Sequence, residues 1–156
     1  TDFSTILYYA DKDGIALRST LYDFLAHRAV DYLSNDRTYL TKPAYQFTID
    51  KPEYLAEAKA FSKLKIETRD TASLKHKAML IYQDLIKMHL KDEDKSALIN
   101  VDLKRLTFVY NNYNDANKRN FYEATLQNMQ KVLLYIRKKL ENKFLRNYLL
   151  LKVKLV

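Results

Sequence analysis

A single glycine, Gly14, and two prolines, Pro43 and Pro52, punctuate a chain of 156 residues. Turns with positive φ generally call for glycine or asparagine, so an all-β sandwich would have too little to turn on. Nucleotide-binding α/β folds need glycine-rich loops where backbone meets phosphate. Both are set aside, and helices remain. The length suits one domain able to bury a core. Apolar residues at 47% and charged residues at 29% give a globular balance.

The chain has no cysteine, which removes disulfide scaffolds, thiol nucleophiles and cysteine-ligated zinc. It has no apolar run of the roughly 18 residues that a transmembrane helix requires. It begins at Thr1 without methionine or a signal-type segment, as a processed protein or an excised fragment would. The net charge is +8, which on its face suggests nucleic acid or an anionic membrane. Its distribution changes that reading. From Lys131 onward eight basic residues stand against the single acid Glu141, so the tail carries +7 and residues 1–130 only +1. The expected organisation is a helical domain over 1–130 and a basic helix or tail over 131–156, either separate from that domain or part of it.

Hydrophobic spacing predicts five to six helices in antiparallel hairpins, a bundle or short solenoid, with one extended segment crossing near 40–50. Phe3, Ile6, Leu7 and Ala10 share one helical face, and Gly14 is placed to close that helix in a left-handed conformation. Thr20 with Asp23 resembles a capping box. Leu21, Phe24, Leu25, Ala29, Tyr32 and Leu33 then form a wide apolar stripe. Tyr45, Phe47 and Ile49 alternate with polar residues as an extended segment would. Asp50 and Pro52 open a short helix to about Phe61.

Asp70-Thr71-Ala72-Ser73 caps a stronger helix whose inward seam is Leu74, Ala78, Ile81, Leu85 and Met88. The acidic turn Asp92-Glu93-Asp94 suits the positive start of the next helix, from about Lys95 to Tyr110, with Leu98, Ile99, Asp102, Leu106 and Val109 on one side. Asn111 to Asp115 reads as a turn. Tyr122, Leu126, Met129, Leu133, Ile136 and Leu140 then repeat at heptad spacing, as in a long packed helix or a coiled-coil face.

No catalytic, cofactor or metal site emerges. His27 and Asp31, one helical turn apart, have proton-shuttle spacing, but no nucleophile or second acid is tied to them, and a helix-side polar contact is the simpler reading. His76 and His89 are too far apart for one zinc site. Asp11-Lys12-Asp13-Gly14 misplaces the glycine of a calcium loop, and Tyr22 stands where its twelfth-position glutamate belongs. Of thirteen tyrosines, Tyr39, Tyr45, Tyr110 and Tyr113 lie in or beside loops and are the candidates for a partner surface. Lys131, Arg137, Lys138, Lys139, Lys143 and Arg146 form a candidate basic patch for phosphate or an anionic bilayer, without a nucleic-acid-binding motif beside them.

Four strings carry a resemblance. Thr20 to Asp31, reading TLYDFLAHRAVD, is similar to a TLYDFLAHRALD stretch near the start of large bacterial alpha-2-macroglobulin-like proteins. Thr68-Arg69-Asp70-Thr71, Leu80 to Leu85 and Asp102 to Leu106 resemble that family's TRDT, LLIYQDLL and DLKRL strings, in the same order. The resemblance covers about residues 2–125, while the tail beyond Lys131 departs from the family's mixed-charge helices. It implies a helical region preceding serial β-sandwich domains in an envelope protein whose relatives trap or inhibit proteases. The thioester of some macroglobulins needs a cysteine that is absent here, so no inhibitory residue carries over. The resulting expectation is a non-catalytic interaction or scaffold module, extracytoplasmic, partnered by neighbouring domains or another protein. The alternative is a cationic module that binds nucleic acid or an anionic membrane through its tail.

Overall fold

The computed structural model describes residues 14, 17–34, 44–114 and 118–139. The described chain is all-α: α1 (Leu21–Leu33), α2 (Ala58–Phe61), α3 (Leu74–His89), α4 (Ser96–Asn112) and α5 (Lys118–Lys139), with a 3-10 turn at Pro52–Leu55. The first expected helix, over 2–10, lies outside the described residues. No helix among the described residues is long and apolar enough to cross a membrane.

Helix α4 is central. Ten of its residues are buried, from Ser96 to Val109, and they point in nearly every direction round its axis. On one side lies α3, antiparallel to it, with the Tyr82 and Phe108 rings 5.6 Å apart. On another lies α5, where Tyr122 stacks on Tyr110 at 4.3 Å. Helix α1 packs on α3, and its Asp31 reaches Lys104 of α4 at 3.1 Å. The expected extended crossing is present where it is described: Ile49 forms an isolated parallel bridge with Tyr113, and its carbonyl accepts the Asn114 N–H at 3.1 Å. The core runs through all of these, from Val30 and Phe47 to Phe61, Leu85, Ile86, Leu106 and Val109.

Local chemistry explains the helix starts. Thr20 and Asp23 make the expected capping box: the Thr20 hydroxyl accepts the Asp23 N–H, and the Asp23 carboxylate accepts the Thr20 N–H, each at 3.1 Å. Ser73 caps α3 by accepting the His76 N–H at 3.2 Å. At α4 the acidic turn acts through Asp94, whose carboxylate accepts the Ser96 N–H at 2.9 Å.

The structure corrects several expectations. Gly14 does not end a helix in a left-handed conformation; no described residue has positive φ, and the Gly14 carbonyl accepts the Arg18 N–H at 3.1 Å within a helical turn. The helix expected from Asp50 to Phe61 is broken at Ala56 and Glu57, which are extended at ψ 162° and 150°. The cause is long-range: Arg105 takes the Tyr54 and Ala56 carbonyls, which a continuous helix would need for its own ladder. Helix α3 is rotated by about one residue from its expected seam. Met79, Tyr82, Gln83, Ile86 and His89 join Ala78 and Leu85 in the interior, because α3 has neighbours on more than one side. Asn111 and Asn112 are helical rather than a turn. Position 130/131 lies within α5, which runs from Lys118 to Lys139.

Helix α1 departs most from its pattern. Its buried residues are Asp23, Ala26, His27 and Val30, while Leu25 and Tyr32 of the apolar stripe are exposed at 55% and 63%, with Tyr22 on the same face at 48%. Ala26 and Val30 supply apolar contact on the inward side, but the orientation follows the polar groups. Asp23 turns inward to meet His89, and Leu25 and Tyr32 turn outward, while Leu21, Phe24, Ala29 and Leu33 stay partly buried.

Candidate functional site

The polar chemistry of the described chain collects in two places, and both join elements distant in sequence. The first is the seam between α1, α3 and the turn Leu90–Lys95. His89 is buried in the last turn of α3, with Nε2 2.8 Å from Asp23 Oδ1 and Nδ1 2.6 Å from Asp92 Oδ2. Asp23 is itself buried, and its other oxygen holds the α1 cap through the Thr20 hydroxyl at 2.8 Å. The ring thus bridges a carboxylate of α1 and one of the turn after α3, one from each nitrogen. Lys95 closes the same end of α3 by donating to the Leu90 carbonyl at 2.9 Å and to that of Asp92. A histidine with both nitrogens engaged has no free position from which to take a proton from a substrate.

His27 lies along the same face of α1 and behaves differently. It is 1% exposed, and neither ring nitrogen has a hydrogen-bond partner. Burial first, then the Lys104 and Arg18 cations, depress its pKa to about 4 against the weaker pull of Asp23 and Asp31. It is therefore a neutral core histidine near neutral pH. The spacing-based pair with Asp31 does not form: Asp31 instead accepts a hydrogen bond from Lys104 of α4 at 3.1 Å.

The second place is Arg105, fully buried on α4. Its Nε donates to Asp102 Oδ1 at 2.8 Å, Nη1 to the Tyr54 carbonyl at 2.7 Å, and Nη2 to the Ala56 carbonyl at 2.9 Å and again to Asp102. The guanidinium also lies over the Phe61 ring at 4.5 Å. Burial pushes the Asp102 carboxyl above the usual carboxylate range, and the adjacent guanidinium opposes it. Gln83 does comparable work from α3, its amide donating to the Phe61 and Leu64 carbonyls at 2.9 and 2.8 Å. Asp70 accepts the Phe47 N–H at 3.1 Å, and His76 Nε2 reaches the Ile66 carbonyl at 2.9 Å. These groups fasten the segment 44–73 to α3 and α4, satisfying backbone that lacks a regular ladder.

The tyrosines singled out for a partner surface differ in exposure. Tyr45 is exposed at 62%, Tyr110 is partly buried under Tyr122 with Lys118 5.3 Å from its ring, and Tyr113 lies in the core at 3%. Tyr113 is buried because α4 runs further than its asparagines suggest, carrying it onto Ile49. Tyr39 lies outside the described residues. Of the expected basic patch, Lys131 is exposed on α5, and Arg137, Lys138 and Lys139 are in the same helix. Lys143 and Arg146 lie outside the described residues. Among the described residues no group of three or more histidine or acidic side chains is arranged to hold a metal ion.

Sequence reasoning missed the Asp23–His89 contact, 66 positions apart, for which no periodicity exists. It also missed the outward face of α1. A signal was available for Asp102, an acid within an otherwise apolar seam and three residues before an arginine. The four strings of the family resemblance contain Asp23, Asp70, Gln83, Asp102 and Arg105, so they coincide with the polar ties of the fold.

Fold and site together define an all-α body whose buried polar side chains mostly join one element to another, and whose first described helix presents an apolar face outward. No family model, curated protein or solved structure matches the chain.

Proposed function

We propose that the chain is a non-catalytic helical scaffold or interaction module, seated in a larger extracytoplasmic protein of the alpha-2-macroglobulin-like kind. The observation that carries the reading is α1. Tyr22, Leu25 and Tyr32 recur at spacings that put them on one face, exposed, opposite the buried Asp23, His27 and Val30. Contiguous exposed apolar side chains rimmed by charge are a common mark of contact with another protein surface. The occupant in this reading is a neighbouring domain of the same parent protein, docked by apolar packing without chemistry. The non-catalytic part is supported by His89, Asp23, Asp102 and Arg105, each already occupied within the fold. The family and envelope location rest on the four strings alone.

The test is a double substitution, Leu25→Asp with Tyr32→Asp, made in the isolated chain and in the parent protein. In the isolated chain stability should change by no more than about 0.5 kcal/mol per site, as at an exposed surface. In the parent, protection of α1 from proteolysis should fall. An unchanged digestion pattern in the parent would remove the docking reading, and a parent sequence without β-sandwich repeats downstream would remove the family. The cationic alternative rests on the +7 of residues 131–156. It requires binding to an acidic polymer that weakens steeply with salt and disappears when those residues are deleted.

A further inference from the structure

We propose that α1 is an acid-released element, held on α3 and α4 while His27 is neutral and set free when His27 takes a proton. The geometry is specific to this helix. His27 is enclosed at the interface of α1 with the body, and both ring nitrogens are without partners. An imidazolium there would be a buried charge with no acceptor. The charged and titratable groups around it favour the neutral ring on balance. Lys104 from α4 and Arg18 from the turn before α1 oppose a new positive charge, and Asp23 and Asp31 on α1 itself favour one. Both acids are already engaged, Asp23 by His89 and Asp31 by Lys104. From α3 the titratable groups on this side are His89, tied to Asp23, and Tyr82, whose phenol burial raises, with Asp31 raising it further.

The rest of the molecule is held differently. Segment 44–73 is tied to α3 and α4 through Gln83, Arg105, Asp70 and His76, and it carries the apolar core of Phe47, Ile49, Leu55 and Phe61. Among the described residues α1 reaches the other helices through the side-chain bonds of Asp23 and Asp31, with Ala26 and Val30 as its buried apolar residues. A charge appearing at His27 therefore acts on the interface that holds α1, where the ring has no acceptor to receive it. Release would uncover the face of α3 bearing Tyr82 and Ile86, so acidification converts a closed body into one with an apolar groove.

The experiment is hydrogen exchange on the intact chain between pH 7 and pH 4, corrected for intrinsic rate, alongside the NMR titration of the His27 ring. Protection of Leu21–Leu33 should fall at least tenfold more than that of α3 and α4, with a midpoint that follows the ring titration. In His27→Leu that differential loss should disappear. Lys104→Met, which folds independently of how leucine packs at position 27, should move both the titration and the release to higher pH, since a repelling cation is gone. Loss of protection in α1, α3 and α4 together would overturn the proposal. So would a release unchanged in His27→Leu, or a Lys104→Met chain in which titration and release part company.

Discussion

Arg105 shows how one side chain can carry the consequences of a whole neighbourhood. It neutralises Asp102, supplies donors to two carbonyls that have left their helix, and covers Phe61. Arg105→Met should destabilise the chain by about 3–5 kcal/mol in urea denaturation, because it leaves a buried carboxylate unpaired. Adding Asp102→Leu should recover a substantial part of that loss. Equal destabilisation in the single and double variants would show that the carbonyl contacts, not the ion pair, dominate. His27 makes the second residue-scale prediction. Its folded pKa of about 4 lies below the ordinary 6.5, so between these values the unfolded chain binds the proton and the native chain does not. The stability contributed by the neutral ring is complete above pH 6.5 and is lost as pH falls toward 4. The full difference is about 3 kcal/mol at ~1.4 kcal/mol per pKa unit. Denaturation midpoints from pH 7 to pH 4 should show that slope, and His27→Leu should flatten it.

At the scale of elements, caps were readable and faces were not. Thr20, Ser73 and the acidic turn before α4 act over two or three residues, and each sits where sequence reasoning places it. Thr20→Ala should cost about 1 kcal/mol, with the loss concentrated in amide protection of the first turn of α1. The inward face of α1 depends instead on a partner 66 positions away. Apolar spacing there identifies a helix and its stripe, but the inward side goes to Asp23 and His27 once His89 is in place. The broken helix at Ala56 has the same kind of cause. Residues 50–61 favour helical turns locally, and Arg105 diverts their carbonyls. Gln83→Met tests this dependence on distant donors. It should cost roughly 2–3 kcal/mol by leaving the Phe61 and Leu64 carbonyls short of a donor, and a near-neutral result would mean that water replaces the amide.

Among the described residues the molecule is a helical body whose core reaches from α1 to Leu126 of α5, and the sequence sets most of its positive charge after Lys131. The sequence by itself determined the helical class, because one glycine and two prolines leave few other ways to organise 156 residues. It also determined the helix caps and the concentration of charge after Lys131, since these are local properties of composition and spacing. Only the tertiary structure decided which face of α1 turns inward, that Tyr113 joins the core, and that Asp23, His89, Asp102 and Arg105 bind elements together. The physical reason is the cost of burying polar groups without partners. Periodicity records where apolar side chains lie along one helix, whereas hydrogen-bond satisfaction depends on which distant groups the packing brings within 3 Å.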